Sequence, residues 1–125
     1  MKIRVYYEDV DIGGVVYHSY YLNFCERARS EKFFQNNLSP VDNEGHFFVK
    51  DIHASYKGSA KLGDELEVTS KLVKIGGASF VLHQEVLKDN EIIFELDITL
   101  VHVDNKNQIK KLSKDKKCLI NNLFS

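Results

Sequence analysis

Two carboxylates, a glycine pair and a histidine fall together in Asp9-Val10-Asp11-Ile12-Gly13-Gly14-Val15-Val16-Tyr17-His18. Directly after them, Ser19 to Asn36 contains no proline or glycine and reads as a helix. A carboxylate beside a helix N-terminus can act as general base on water, or attack a carbonyl itself to form an anhydride. The unpaired N–H groups of the first helical turn can meanwhile polarise that carbonyl and stabilise the developing oxyanion. The combination suits acyl transfer to water, with Asp11 as the candidate catalytic group. The competing reading is structural, because an aspartate ahead of Gly-Gly is also a common turn residue.

The neighbouring groups divide in the same way. His18 can orient a substrate carbonyl, relay a proton or simply bond to the loop backbone. Asp9 shares the site only if the segment stays extended through Asp11, since residues two apart face the same way on a strand. Cys25 and His18 lie near one helix face, but roughly 10.5 Å apart along the axis at 1.5 Å per residue, too far for the histidine to activate the thiol. Cys25 is therefore read as packing. Glu26 and Glu31 are secondary candidates for a base, against a reading as surface charge; Arg27 and Glu31 have the spacing of a helical ion pair.

The other histidines, His46, His53, His83 and His102, fall one per predicted strand or strand end, without a His or Cys pair at helical metal spacing, and no metal is expected. Gly76-Gly77 lacks the lysine and helix of a phosphate-binding loop, and no dinucleotide fingerprint is present. Lys110, Lys111, Lys114, Lys116 and Lys117 read as a solvated basic helix face. Lys57 and Lys61, around Gly58, are candidates for phosphate contacts.

The elements that must position these groups follow from hydrophobic periodicity. Lys2 to Glu8 alternates as a strand with Ile3, Val5 and Tyr7 on one side. In the helix, Tyr17, Tyr21, Phe24 and Ala28 recur at helical spacing, widened by Tyr20, Leu22 and Cys25, so its first half is enclosed. Ser39-Pro40-Val41-Asp42 predicts a capped turn or one-turn helix ended by Gly45. From His46 the pattern is strand-like, with Phe48, Ile52, Ala54 and Tyr56 on one parity and Lys50 interrupting it. Gly58 to Asp64 is a loop. Strands follow around Leu66 to Leu72, Ser79 to Lys88 and Ile92 to Leu100, with turns at Gly76-Gly77 and Asp89-Asn90. Leu112 to Leu123 predicts a lysine-rich terminal helix. A long helix followed by antiparallel strands is an α+β pattern, the helix lying on one face of a curved sheet.

At 125 residues, 43% hydrophobic and 28% charged, the chain fits one globular domain, residues 1–125. A net charge of −1 argues against nucleic acid as a partner. Charges come too early at the N-terminus for a signal peptide and no apolar run suits a transmembrane segment, so a cytoplasmic protein is expected. Two cysteines, Cys25 and Cys118, suit free thiols in a reducing compartment.

The run Arg4-Val5-Tyr6-Tyr7-Glu8-Asp9-Val10-Asp11, then Gly13-Gly14-Val15-Val16-Tyr17-His18, Tyr21-Leu22 and Glu26-Arg27-Ala28-Arg29 with Glu31, resembles the hotdog-fold acyl-CoA thioesterases of the 4-hydroxybenzoyl-CoA thioesterase family. Within it the bacterial branch associated with the Tol-Pal envelope system is most similar. Shorter echoes occur at Phe48-Val49, Tyr56 to Leu62 and Val101-His102-Val103-Asp104. Val10 and Ile12 stand where the family more often has threonine and alanine, and the Gly58 loop lacks the family's common proline.

The resemblance implies a long central helix wrapped by a five-stranded antiparallel sheet. It implies Asp11 as the catalytic carboxylate, an oxyanion donor at the N–H of His18 or a near neighbour, and His18 as a group that helps bind or orient the thioester. Gly14 and Tyr17 would shape the pocket, while the phosphates of coenzyme A, which is part of the substrate, would be held by basic surface residues, with Lys61 at a position where the family often has arginine. No cofactor is needed. Implied partners are acyl-CoA, acyl carrier protein as an alternative carrier, and copies of the same chain in a homodimer or homotetramer. The expected function is acyl-CoA thioester hydrolysis. The alternatives are a non-catalytic module binding acyl-CoA or acyl carrier protein, linked to envelope or lipid metabolism, and a hydratase, for which no clear second acid/base group is present.

Overall fold

In β5, Glu91–Val103, the alternation of the sequence becomes an alternation of faces: Phe94, Leu96, Ile98 and Leu100 are buried while Glu95, Asp97 and Thr99 lie on the opposite side. The structure, a computed structural model, describes all 125 residues. β5 is preceded by β4, Ser79–Lys88, through a two-residue turn in which Asp89 and Asn90 have φ of 51° and 65°. Positive φ at both positions is what a tight hairpin turn of matching twist requires, and Asp and Asn tolerate it better than most residues.

β1, Lys2–Arg4, β2, His46–Tyr56, and β3, Glu65–Ile75, complete one antiparallel sheet in the order β1-β3-β4-β5-β2. Helix α1, Tyr20–Phe34, lies on its inner face, and helix α2, Lys114–Leu123, packs against β3. Tyr21, Phe24, Cys25, Ala28 and Phe33 of α1 are buried against Leu66, Val68, Phe80, Leu82, Phe94 and Leu96 of the sheet. The α+β architecture of a long helix on a five-stranded antiparallel sheet is the expected one.

A polar tie crosses this core. Gln84, fully buried on β4, donates from Nε2 to the Cys25 carbonyl at 2.9 Å and to Ser70 Oγ at 2.7 Å, while its Oε1 accepts from Arg29 Nη1 at 3.3 Å. Burial lowers the pKa of Arg29 and pushes the Cys25 thiol up to about 12, so Cys25 is an inert packing residue as expected.

Several local expectations are corrected. The first strand stops at Arg4, and Tyr7–Asp9 form a 3-10 turn, because Asp9 Oδ2 accepts the Tyr6 N–H at 2.9 Å and turns the chain. Tyr7 thus leaves the inward parity and is 83% exposed. In β2 a bulge between Val49 and Asp51, at Lys50, shifts the parity. Phe47 rather than Phe48 faces the core, opposite His102, while Ile52, Ala54 and Tyr56 oppose Ile98, Leu96 and Phe94. Of the two alternatives for residues 39–42 the capped turn is the one observed, with Ser39 Oγ accepting the Val41 N–H at 3.1 Å. Gly45, at φ 132°, abuts β5 so closely that an added Cβ would meet the Val103 carbonyl oxygen at 1.9 Å.

Nor is the terminal helix wholly solvated: Lys116 is buried and its Nζ pairs with Asp42. Arg27 and Glu31 are not among the ion pairs of the chain; in that turn Ser30 Oγ donates to Glu26 Oε1 at 3.1 Å. No helix is long and apolar enough to cross a membrane.

Candidate active site

The stretch between β1 and α1 is a miniature hairpin. Val10 and Val16 form an antiparallel bridge, the Asp11 N–H donates to the Val15 carbonyl at 2.9 Å, and the Gly14 N–H returns to the Asp11 carbonyl at 3.0 Å. Gly14 has φ 83°, a conformation glycine adopts without strain, with open space where a Cβ would lie. Asp9 fastens the base of the hairpin: it is buried, its carboxylate holds the Tyr6 N–H, and its carbonyl accepts the Tyr17 N–H at 2.9 Å. Asp9 and Asp11 therefore do different work, the first structural and the second at the surface.

Asp11 is exposed, and one carboxylate oxygen, Oδ1, accepts the Gly13 N–H at 2.8 Å. That bond fixes the side chain while Oδ2 stays free of intrachain partners. The turn reading and the catalytic reading of this aspartate are thus compatible, since one oxygen makes the turn and the other has no partner in the chain. Ile12, at the tip, is fully exposed.

The hairpin is seated on the loop that follows β2. Val15 bridges Lys61, and the Val16 N–H donates to the Ala60 carbonyl at 2.9 Å. The same loop meets α1 through Tyr21, whose buried hydroxyl accepts the Ala60 N–H at 3.1 Å. Tyr56, at the end of β2, donates its hydroxyl to the His18 carbonyl at 2.8 Å. Hydrophobic periodicity places Tyr21 and Tyr56 on apolar faces and assigns their hydroxyls no partner; for Tyr21 the signal was chemical, since an enclosed phenol needs a partner for its O–H.

These bonds hold the start of α1 beside the hairpin. Ser19 caps the helix without a side-chain hydrogen bond, and the N–H groups of His18 and Ser19 have no acceptor within the chain. The His18 ring is exposed and rests on Tyr17, with centroids 4.4 Å apart. Tyr17 and His18 thus immediately precede α1, and Asp11 and Gly14 lie on the hairpin that leads into it. Lys61 is brought to the hairpin by its bridge to Val15, whereas the Lys57 ammonium pairs with Glu95 at 3.3 Å. Glu26 lies farther along α1, on a cleft of about 330 Å³ lined also by Phe33, Val41, Phe47 and Val49. Neither Asp11 nor His18 lines that cleft, so the chemistry-bearing groups stand on an open surface.

Cross-strand pairing assembles one group of metal-ligand types that linear spacing concealed. His83, Glu85 and Glu95 meet on the outer face of the sheet, remote in sequence from the hairpin, although the spacing of the histidines predicts no metal.

Residues 5–121 match the family model of the thioesterase-like superfamily. The chain is 46% identical over 86 residues to the acyl-CoA thioesterase YbgC of Helicobacter pylori (strain J99), a match covering 69% of this chain and 65% of that protein's length. It is 36% identical over 106 residues to the acyl-CoA thioester hydrolase YbgC of Escherichia coli O157:H7, covering 82% and 79% of the two chains. Its fold superposes on the crystal structure of a probable thioesterase from Bartonella henselae with a TM-score of 0.82 at 26% identity, over 91% of this chain and 96% of the other. With the motif, the sheet order and these similarities in agreement, the chain belongs to the thioesterase-like superfamily and has the hotdog fold.

Proposed function

We propose that this chain hydrolyses acyl-CoA thioesters to the free acid and coenzyme A. Two observations support the reading: the exposed Asp11 has one carboxylate oxygen uncommitted, and the His18 and Ser19 N–H groups just before α1 are unpaired. As general base, Asp11 takes a proton from water while the water oxygen attacks the thioester carbon. As nucleophile it attacks that carbon itself, and water then opens the anhydride. On either route the carbonyl oxygen becomes an oxyanion, met by the N–H groups of His18 and Ser19 just ahead of α1. The C–S bond then breaks and the thiolate of coenzyme A leaves to collect a proton. Loss of one such donor costs about 10²- to 10³-fold in turnover, so the helix start ranks with the carboxylate in importance.

His18 places the thioester, and Gly14 and Tyr17 shape the wall around it. Lys61, next to the hairpin, is the better placed of the two lysines for the phosphates of coenzyme A; Lys57 must first leave Glu95. The activity needs no metal or redox cofactor, and acyl carrier protein is a second carrier of the same thioester chemistry.

The working unit in this reading is a homodimer or a homotetramer. β2 lies at the edge of the sheet, eleven residues long, and Phe48, Val49 and Tyr56 are between 42% and 49% exposed. An edge of that length, with apolar side chains and unpaired backbone groups, invites pairing with another copy. A second copy would also cover the open surface around Asp11 and exclude bulk water. The test is release of free coenzyme A thiol from a panel of short, long and aromatic acyl-CoA esters. Turnover of at least one class is expected, and retained binding with no hydrolysis across the panel would favour a non-catalytic acyl-binding module.

A further inference from the structure

We propose that the outer face of the sheet carries a divalent transition-metal site formed by His83 Nε2 and the carboxylates of Glu85 and Glu95. One potential ligand atom from each residue lies within 4.8 Å of the others. The donor atoms of a tetrahedral zinc ion, at bonds of about 2.1 Å, are roughly 3.4 Å apart, so small side-chain rotations close the site. His83 Nε2 and Glu85 Oε2 are already 3.1 Å apart.

Two features distinguish this cluster from an ordinary patch of surface charge. Glu85 and Glu95 are directly opposed across the β4–β5 pair, a placement of like charges that disfavours strand pairing unless a cation lies between them. His83 is directly opposed to Asp97, whose Oδ1 is 2.9 Å from Nδ1. A carboxylate on Nδ1 fixes the tautomer that presents Nε2 as a ligand, the usual support of a metal-bound imidazole. The three side chains are half-buried, and a recess of about 310 Å³ lined by His53, Ser55, His83, Glu95 and Asp97, though not by Glu85, adjoins the cluster with room for water.

The donor set selects the kind of ion. One imidazole with two carboxylates suits zinc, cobalt or manganese better than calcium or magnesium, which take all-oxygen shells. Lys57 now supplies the positive charge, its Nζ being 3.3 Å from Glu95, and a metal ion must displace it. Nε2 of His83 also lies in a hydrogen bond with Glu85, which a metal ion must replace. A bound ion would clamp β4 to β5 on the face opposite α1, by chemistry independent of thioester hydrolysis.

The test is calorimetric titration of the metal-stripped full chain with zinc chloride at pH 8, with cobalt absorption spectra to report coordination. One zinc per chain is expected, bound at least tenfold more weakly by His83→Gln and by Glu95→Gln, each checked for native circular dichroism. Cys118→Ser should bind as the wild type does, and Lys57→Ala should bind more tightly. Absence of stoichiometric binding, undiminished affinity in both folded ligand variants, dependence on Cys118, or weaker binding in Lys57→Ala overturns the proposal.

Discussion

The hydroxyl of Tyr56 donates to the carbonyl of His18 at 2.8 Å and so joins the last residue of β2 to the turn from which α1 departs. The sheet edge and the helix start are thereby held at a fixed separation, which matters for a proposed oxyanion site built from backbone N–H groups.

Replacing Tyr56 by Phe removes this bond and keeps the ring, which packs on Phe94 with centroids 4.9 Å apart. A net hydrogen bond is worth about 0.5–1.5 kcal/mol, so stability should fall by no more than that. Turnover should drop by about three- to tenfold with KM little changed, because misplacement of an oxyanion donor is felt in the transition state. Steady-state acyl-CoA kinetics check this, and an unchanged kcat would detach Tyr56 from the site.

Gln84 ties α1 to the sheet from within the core. Gln84→Ala leaves Ser70 and the Arg29 guanidinium short of a partner and opens a cavity beneath the helix. A loss of about 1–3 kcal/mol is expected, read as a lower urea midpoint with an unchanged slope. An unaltered midpoint would show that the network contributes no net stability.

Acid should weaken the fold through its paired aspartates. Burial alone would raise the pKa of Asp42, but hydrogen bonds from Lys116 and the Glu44 N–H, with the Lys116 charge, hold it below the usual carboxylate value. The Lys61 N–H and then Lys88 do the same for Asp64. A carboxylate with a lowered folded pKa stabilises fully above its unfolded pKa, about 3.9, and that contribution is lost as pH falls through the folded value. Thermal midpoints measured from pH 7 downward should therefore hold until about pH 5 and decline progressively below pH 4. Asp42→Asn and Asp64→Asn should each start lower and decline less steeply; variants that match the wild-type curve would contradict the assignment.

Much of this architecture is legible from side-chain pattern, because local rules and tertiary structure agree. The alternation in β5, the Asp89-Asn90 turn and the uninterrupted helical stretch after His18 each state a backbone preference that the fold accepts. The pattern misleads where one polar contact overrules it. Asp9 draws the Tyr6 N–H out of the strand register, so Tyr7 faces solvent. The Lys50 bulge reverses which phenylalanine of the Phe47-Phe48 pair faces inward. Lys116 looks like one more solvated lysine until Asp42 is brought to it from a distant turn. In the candidate site, Asp11 and His18 stand out by type and position. The parts played by Tyr21 and Tyr56 depend on a loop and a strand end far along the chain, and the His83 cluster on strand register, neither of which linear spacing encodes.

The most direct test of the account is the turnover of Asp11→Asn on whichever acyl-CoA ester the wild type hydrolyses best. The substitution retains an oxygen able to accept the Gly13 N–H and removes the charge, so the hairpin should persist while the base or nucleophile is lost. A fall in kcat of about 10²-fold or more is expected, with native circular dichroism and substrate affinity within a few-fold of wild type. Hydrolysis by Asp11→Asn as fast as the wild type would contradict the role assigned to this carboxylate.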